Sequence, residues 1–185
     1  MKTKLNKKTI LGISLLVIIA LGSFSICHAA ARWYTYHVND YWSVDSGKHL
    51  DWDGSTQFMS NFTTGVNTWN NYKSGVIRQD TPLILEDITI GDAEYVTGNA
   101  LGETRQKGPG KSSESSITFS TVVMNQHSTL MRNICCTHEL GHALGLAHNT
   151  DTTDSVMYPG TATTCNNVLH ADDKFNYDYM YNNKY

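Results

Sequence analysis

Residues 137–148 read Thr-His-Glu-Leu-Gly-His-Ala-Leu-Gly-Leu-Ala-His, and His138, Glu139, His142, Gly145 and His148 have the types and spacing for hydrolysis at a metal ion. On a helix, His138 and His142 project from one face about one turn apart, so two imidazoles can reach one ion. Glu139 lies roughly 100° round from His138. It therefore edges the same cleft without being forced into the ligand set, and is placed to take a proton from a water molecule. The next helical turn would run away from the ion, but Gly145 can adopt the positive φ that ends a helix and bends the chain back. His148 then becomes the third ligand. Three neutral histidines suit a single Zn2+ and leave a fourth tetrahedral position open to water, which marks a catalytic rather than a structural site. Zinc brings the pKa of such a water to about 7. Glu139 would act as general base and then pass the proton to the leaving group. The bland alternative, a helix whose histidines face solvent or core, does not explain five matched positions in one window.

These residues need a helix, a bend and a wall. Residues 128–144 are predicted to be that helix. Before it, apolar Phe58, Met59, Phe62, Val66 and Trp69 recur at three- and four-residue intervals, predicting an amphipathic helix over 56–72. Residues 33–38, 75–78, 83–90 and 117–124 read as strands, the last rich in β-branched residues. The stretch 41–54 reads as loop. So does 98–116, with four glycines, a proline and several serines. A last helix is predicted over 171–181, with Asp172 and Asp173 near its positive N-terminal end. This order of elements predicts an α+β domain with a mixed sheet.

The first thirty residues have the layout of a secretory signal peptide: Lys2, Lys4, Lys7 and Lys8, then an apolar run over 10–21, then small residues over 27–31. Cleavage is expected after Ala29, Ala30 or Ala31. Gly22, Ser23 and Ser25 leave the run short of the roughly 20 apolar residues of a spanning helix, and an uncleaved anchor is the alternative. Ile26 sits where lipoprotein signals carry a small residue, which disfavours a lipid anchor on Cys27. The remainder, 31–185, is long enough for one domain with a real core. The four leader lysines are among fourteen basic residues, while all seventeen acidic ones lie beyond the leader. Such an acidic body argues against nucleic acid as a partner.

Cys135, Cys136 and Cys165 lie in the mature part, in a compartment that permits disulfides. One bridge and one odd thiol is the simplest count. Cys135 shares a helical face with His138 and could compete for metal as a free thiolate, so a Cys135–Cys165 bridge is expected to protect the site. A Cys136–Cys165 bridge and three reduced, buried thiols are the alternatives, and a redox centre is a further reading. His37, His49, His127 and His170 are isolated and read as surface or satisfied residues.

The run His138 to His148 resembles the metzincin peptidases, whose motif H-E-x-x-H-x-x-G-x-x-H is followed by a methionine turn. Ser155, Val156, Met157, Tyr158 and Pro159 resemble that turn. Within the clan the chain is most similar to the matrixins, which carry a methionine, tyrosine, proline run here. Relatives of the astacin and serralysin type place a zinc-binding tyrosine where this chain has Pro159, so no tyrosine ligand is implied. The resemblance implies a twisted mixed sheet, an active-site helix and a small C-terminal subdomain ending in a helix. It implies that Met157 forms a hydrophobic floor under the zinc and that Asp173 braces the methionine turn, although a helix N-terminal charge also accounts for Asp173. The strand at 117–124 would be the cleft's upper edge. Asn149 stands where matrixins usually have serine, and Thr161 where a tyrosine is usual, so the wall of the specificity pocket departs from the family. No counterpart is found of the animal family's structural-zinc histidines or cysteine-bearing propeptide.

The resulting expectation is a secreted, monomeric zinc endopeptidase acting on protein or peptide substrates outside the cell, without stable membrane association after leader cleavage. Its short leader and lack of extra domains point to a bacterial source. One catalytic zinc is expected, and calcium is left open. The competing reading, a secreted or membrane-tethered zinc-binding module with little catalytic activity, is weakened by the presence of Glu139.

Overall fold

The structure is a computed structural model that describes residues 36–81, 86–106, 115–161 and 163–185. The expected leader at 1–30 lies outside the described residues, as do 33–35 of the strand expected over 33–38 and 83–85 of the strand expected over 83–90.

Alternating burial builds the sheet. In β1 (Leu50–Gly54) the side chains of Leu50 and Trp52 turn inward, as do Ile88 and Ile90 of β3 (Ile88–Ala93). Ile117 and Phe119 do the same in β5 (Ser115–Ser120). With β2 (Ile77–Gln79) and β4 (Gly102–Arg105), these strands form a sheet of order β2-β1-β3-β5-β4. All neighbours are parallel except β4, which runs antiparallel to β5 with Gly102 opposite Phe119 and Thr104 opposite Ile117.

Helix α1 (Met59–Asn70) lays Phe62 and Trp69 on the core, and the Phe62 ring meets Trp52 and Phe119 edge-on at 5.1 and 6.3 Å. The short α2 (Thr121–Asn125) follows β5, and α3 (Thr129–Ala143) follows it in turn. Helices α1 and α3 approach closely at Gly65, where a Cβ would stand 3.0 Å from the Cys136 carbonyl carbon and the Thr137 nitrogen. The Trp69 indole donates to the Thr137 carbonyl at 2.9 Å across the same contact. After the bend at Gly145 the chain ends in α4 (Ala171–Asn183). Among the described residues no helix is long and apolar enough to cross a membrane.

Three elements differ from the sequence expectation. The end of the supposed loop 41–54 is β1, whose second residue Asp51 is buried where Arg78 on β2 grips it with two hydrogen bonds of 2.8 and 2.7 Å. The supposed loop 98–116 begins in a 3-10 turn, Thr97–Asn99, and contains the whole of β4. The strand expected over 117–124 stops at Ser120, whose Oγ accepts from the Val123 amide at 3.2 Å and starts α2 despite the β-branched residues there.

At the far end of β1 a second carboxylate is buried beside the Arg78–Asp51 pair. Asp87 accepts from the Asp51 amide at 2.9 Å, and its pKa is pushed up to about 7, chiefly by burial. Asp45 completes an acidic corner there.

Candidate metal centre and active site

Helix α3 carries the first two histidines and is capped at its start by Ser128, whose Oγ accepts from the Met131 amide at 3.3 Å. Its end is a Schellman turn. The Gly145 amide donates to the His142 carbonyl at 2.8 Å and the Leu146 amide to Gly141 at 2.9 Å. Gly145 has φ 85°, and a Cβ there would lie 2.4 Å from Met180 Cε. Conformation and space thus both require glycine at the bend. The returning strand of chain is held from outside by the N-terminal segment: Ala147 donates to the His37 carbonyl at 2.9 Å, and Asn39 donates to the Gly145 carbonyl at 2.7 Å.

The bend brings three imidazoles together. Nε2 of His148 lies 3.2 Å from Nε2 of His142 and 3.2 Å from Nε2 of His138. Nδ1 of His138 faces the Val156 carbonyl and Nδ1 of His142 faces the Leu146 carbonyl, each at 2.8 Å. A carbonyl can only accept, so both Nδ1 atoms carry the proton and both Nε2 atoms offer lone pairs. The short Nε2 separations are therefore converging ligands rather than hydrogen bonds. Zinc–nitrogen bonds of about 2.0–2.1 Å at tetrahedral angles put neighbouring nitrogens roughly 3.3–3.4 Å apart, so the donor set fits such an ion. Burial pushes His138 and His142 down to about 4, keeping both neutral as ligands must be.

The methionine turn supports this group from below. Ser155 donates to Asp173 Oδ1 at 2.5 Å, while the Val156 and His170 amides donate to Oδ2 at 3.0 and 2.8 Å. Asp173 thus ties the turn to the start of α4, and burial outweighs these donors to push its pKa up. Met157 is buried against α3 at Gly141, which lies between the two helical histidines. Asn149 is buried, its backbone N–H donating to the Met157 carbonyl at 2.9 Å, whereas Thr161 borders the cleft.

A cleft of about 520 Å³ opens over the histidines, walled by Met131, Ile134 and Cys135 on the helix side and by Leu101 and Gly102 on the strand side. Glu139 is at its base, only 6% exposed. Burial pushes its pKa up, opposed by His142 and by a hydrogen bond from Thr104.

The cysteines depart from expectation. Cys135, Cys136 and Cys165 are three unpaired buried thiols, so the Cys135–Cys165 bridge is not made. The cause lies in how the 163–167 segment docks. Asn167 accepts from the Thr137 hydroxyl at 2.6 Å and donates to Thr68 at 3.0 Å, and Thr137 is roughly 200° round the helix from Cys135. Cys135 faces β4 instead, where a Cβ on Gly102 would stand 3.1 Å from its sulfur. Burial pushes the Cys135 thiol well above its ordinary value, so it stays protonated and forms part of the apolar wall.

Sequence reasoning passed over β4. Gly102, Thr104 and Gln106 are alternate residues facing α3, and Glu103 and Arg105 between them pair with each other at 3.1 Å. Gly102 leaves room for Glu139, whose Cγ a Cβ would meet at 2.9 Å. Gln106 donates to the His142 carbonyl at 2.5 Å, satisfying the helix end. The polar, period-two alternation over 102–106 was the available signal.

Comparison with curated protein sequences gives no match. Among solved structures, archaemetzincin from Methanopyrus kandleri is similar in fold, with a TM-score of 0.52 and 16% identity over 74% of this chain and 98% of that one. The matrixin family model, peptidase family M10, matches residues 34–182. With that match spanning most of its length, the chain belongs to the matrixin family of zinc metallopeptidases.

Proposed function

We propose that this matrixin is an exported, monomeric zinc endopeptidase in which Glu139 handles the proton of the attacking water. The observation that carries the reading is three Nε2 atoms converging at 3.2 Å beside the buried Glu139 in an open cleft. His138, His142 and His148 would hold the ion, with Met157 as the floor beneath them. When bound there, zinc supplies Lewis acidity that polarises a carbonyl and acidifies a water. Glu139 takes the water's proton on its carboxylate as the C–O bond forms, then delivers it to the peptide nitrogen as the C–N bond breaks.

The backbone of an extended substrate is held by strand addition. The family resemblance implied that role for 117–124, but β5 is flanked by β3 on one side and β4 on the other. Among the described residues β4 is the edge strand on that side, and the docking role moves to it. Export rests on the leader at 1–30, and N-terminal sequencing of the secreted product tests it.

Hydrolysis of an unstructured protein by residues 31–185 should require zinc, stop on chelation, and be lost in Glu139→Ala. Equal activity in wild type and variant, or indifference to the chelator, would sink the reading.

A further inference from the structure

We infer that Thr104 is a positioning residue for Glu139, fixing which carboxylate oxygen meets the water; this deepens the peptidase reading and rests on it. The Thr104 hydroxyl lies 2.7 Å from Glu139 Oε2 and 2.9 Å from the Glu139 carbonyl oxygen. A hydroxyl has one proton to give and lone pairs to accept with. Thr104 gives its proton to Oε2, with the Glu139 carbonyl oxygen also within reach.

The bond also selects an oxygen. With Oε2 held by Thr104, Oε1 has no hydrogen-bond donor among the described residues, and the strand leaves space beside it because residue 102 is glycine: a Cβ there would be 3.2 Å from Oε1. Oε1 is thus the oxygen left to receive the water's proton. Because α3 and β4 are far apart in sequence, the strand that would dock the substrate backbone also sets the base. A correctly placed peptide and a correctly aimed carboxylate share one support.

The test compares Thr104→Val, which keeps shape and loses the hydroxyl, with Thr104→Ser, which keeps the hydroxyl. In zinc-loaded protein, Thr104→Val should lower kcat about tenfold, as a misaimed base does, with KM within about twofold of wild type. Thr104→Ser should recover most of the loss, and all three proteins should melt within a few degrees of one another. Crystal structures of the zinc-free proteins supply a second readout. The Glu139 carboxylate should leave its wild-type rotamer in Thr104→Val and keep it in Thr104→Ser. Full kcat in Thr104→Val, equal losses in both variants, or a loss confined to KM would overturn the inference. A wild type without peptidase activity would instead count against the peptidase reading, and the rotamers would then decide on Thr104, an unmoved carboxylate in Thr104→Val overturning it.

Discussion

The sulfur of Met157 rests against Gly141 so closely that a Cβ on the glycine would stand 2.3 Å from Sδ. Turn and helix are thus in contact between the two helical ligands, with room there for hydrogen only. Gly141→Ala should overpack this contact and cost about 1–3 kcal/mol of stability, read from urea unfolding of the metal-free protein. Adding Met157→Ala should return part of the loss, since the two sites are coupled. An unchanged urea midpoint in Gly141→Ala would show that the contact is not tight.

Asp173 accepts three hydrogen bonds, so its support of the methionine turn is expected to come from acceptor geometry rather than charge. Asparagine there can still accept from the Val156 and His170 amides and can donate to the Ser155 oxygen, so Asp173→Asn should cost no more than about 1 kcal/mol. Asp173→Ala strands buried donors and should cost about 3 kcal/mol or more. Chemical denaturation of the two variants separates these outcomes. Equal losses would mean that the charge is what matters.

How much of this site is legible in the sequence depends on how local each constraint is. The placing of His138 and His142 follows from helical spacing, and the return of His148 from one glycine, so both can be read from twelve residues. Strand β4 cannot. Gly102 to Arg105 contains no apolar residue, and its structure comes from pairing with β5 and packing on α3, neither of which is local. The Ser120 cap hides in the same way, because Thr121, Val122 and Val123 continue the β-branched pattern of the strand. In β1, Asp51 obscured the alternation of Leu50 and Trp52 until Arg78 explained its burial. The cysteines misled for the opposite reason. Counting thiols says nothing about which side of α3 the 163–167 segment will occupy.

Asp87 gives the fold a pH dependence of known sign. Its pKa stands near 7 in the folded protein against an ordinary value of 3.8, raised chiefly by burial, with Asp45 and Asp51 adding to it and Arg78 opposing. Between those values the native state holds a proton that the unfolded chain has released, so this group's contribution to stability falls as pH rises from about 4 through 7 and then levels off. Asp87→Asn mimics the protonated form and keeps an acceptor for the Asp51 amide. Its stability relative to wild type should grow across that range, as measured by thermal melts from pH 4 to 8. A constant difference would show that Asp87 does not titrate there.

The thiols of Cys135, Cys136 and Cys165 are expected to be reduced. Alkylating residues 31–185 with iodoacetamide in denaturant and no reductant should add three carbamidomethyl groups by intact mass. In the folded protein the same reagent should react slowly, because burial keeps Cys135 and Cys136 protonated. A single adduct after denaturation would restore the bridge.

The contacts from His37 and Asn39 to the bend at Gly145 reach across more than a hundred residues of chain. His138 and His142 are brought together by their own helix, but the third imidazole is held where it is with help from those distant contacts. Metal affinity and docking of the N-terminal segment are then two faces of a single coupling free energy. By reciprocity, zinc must tighten the segment's hold by the same factor that docking tightens zinc.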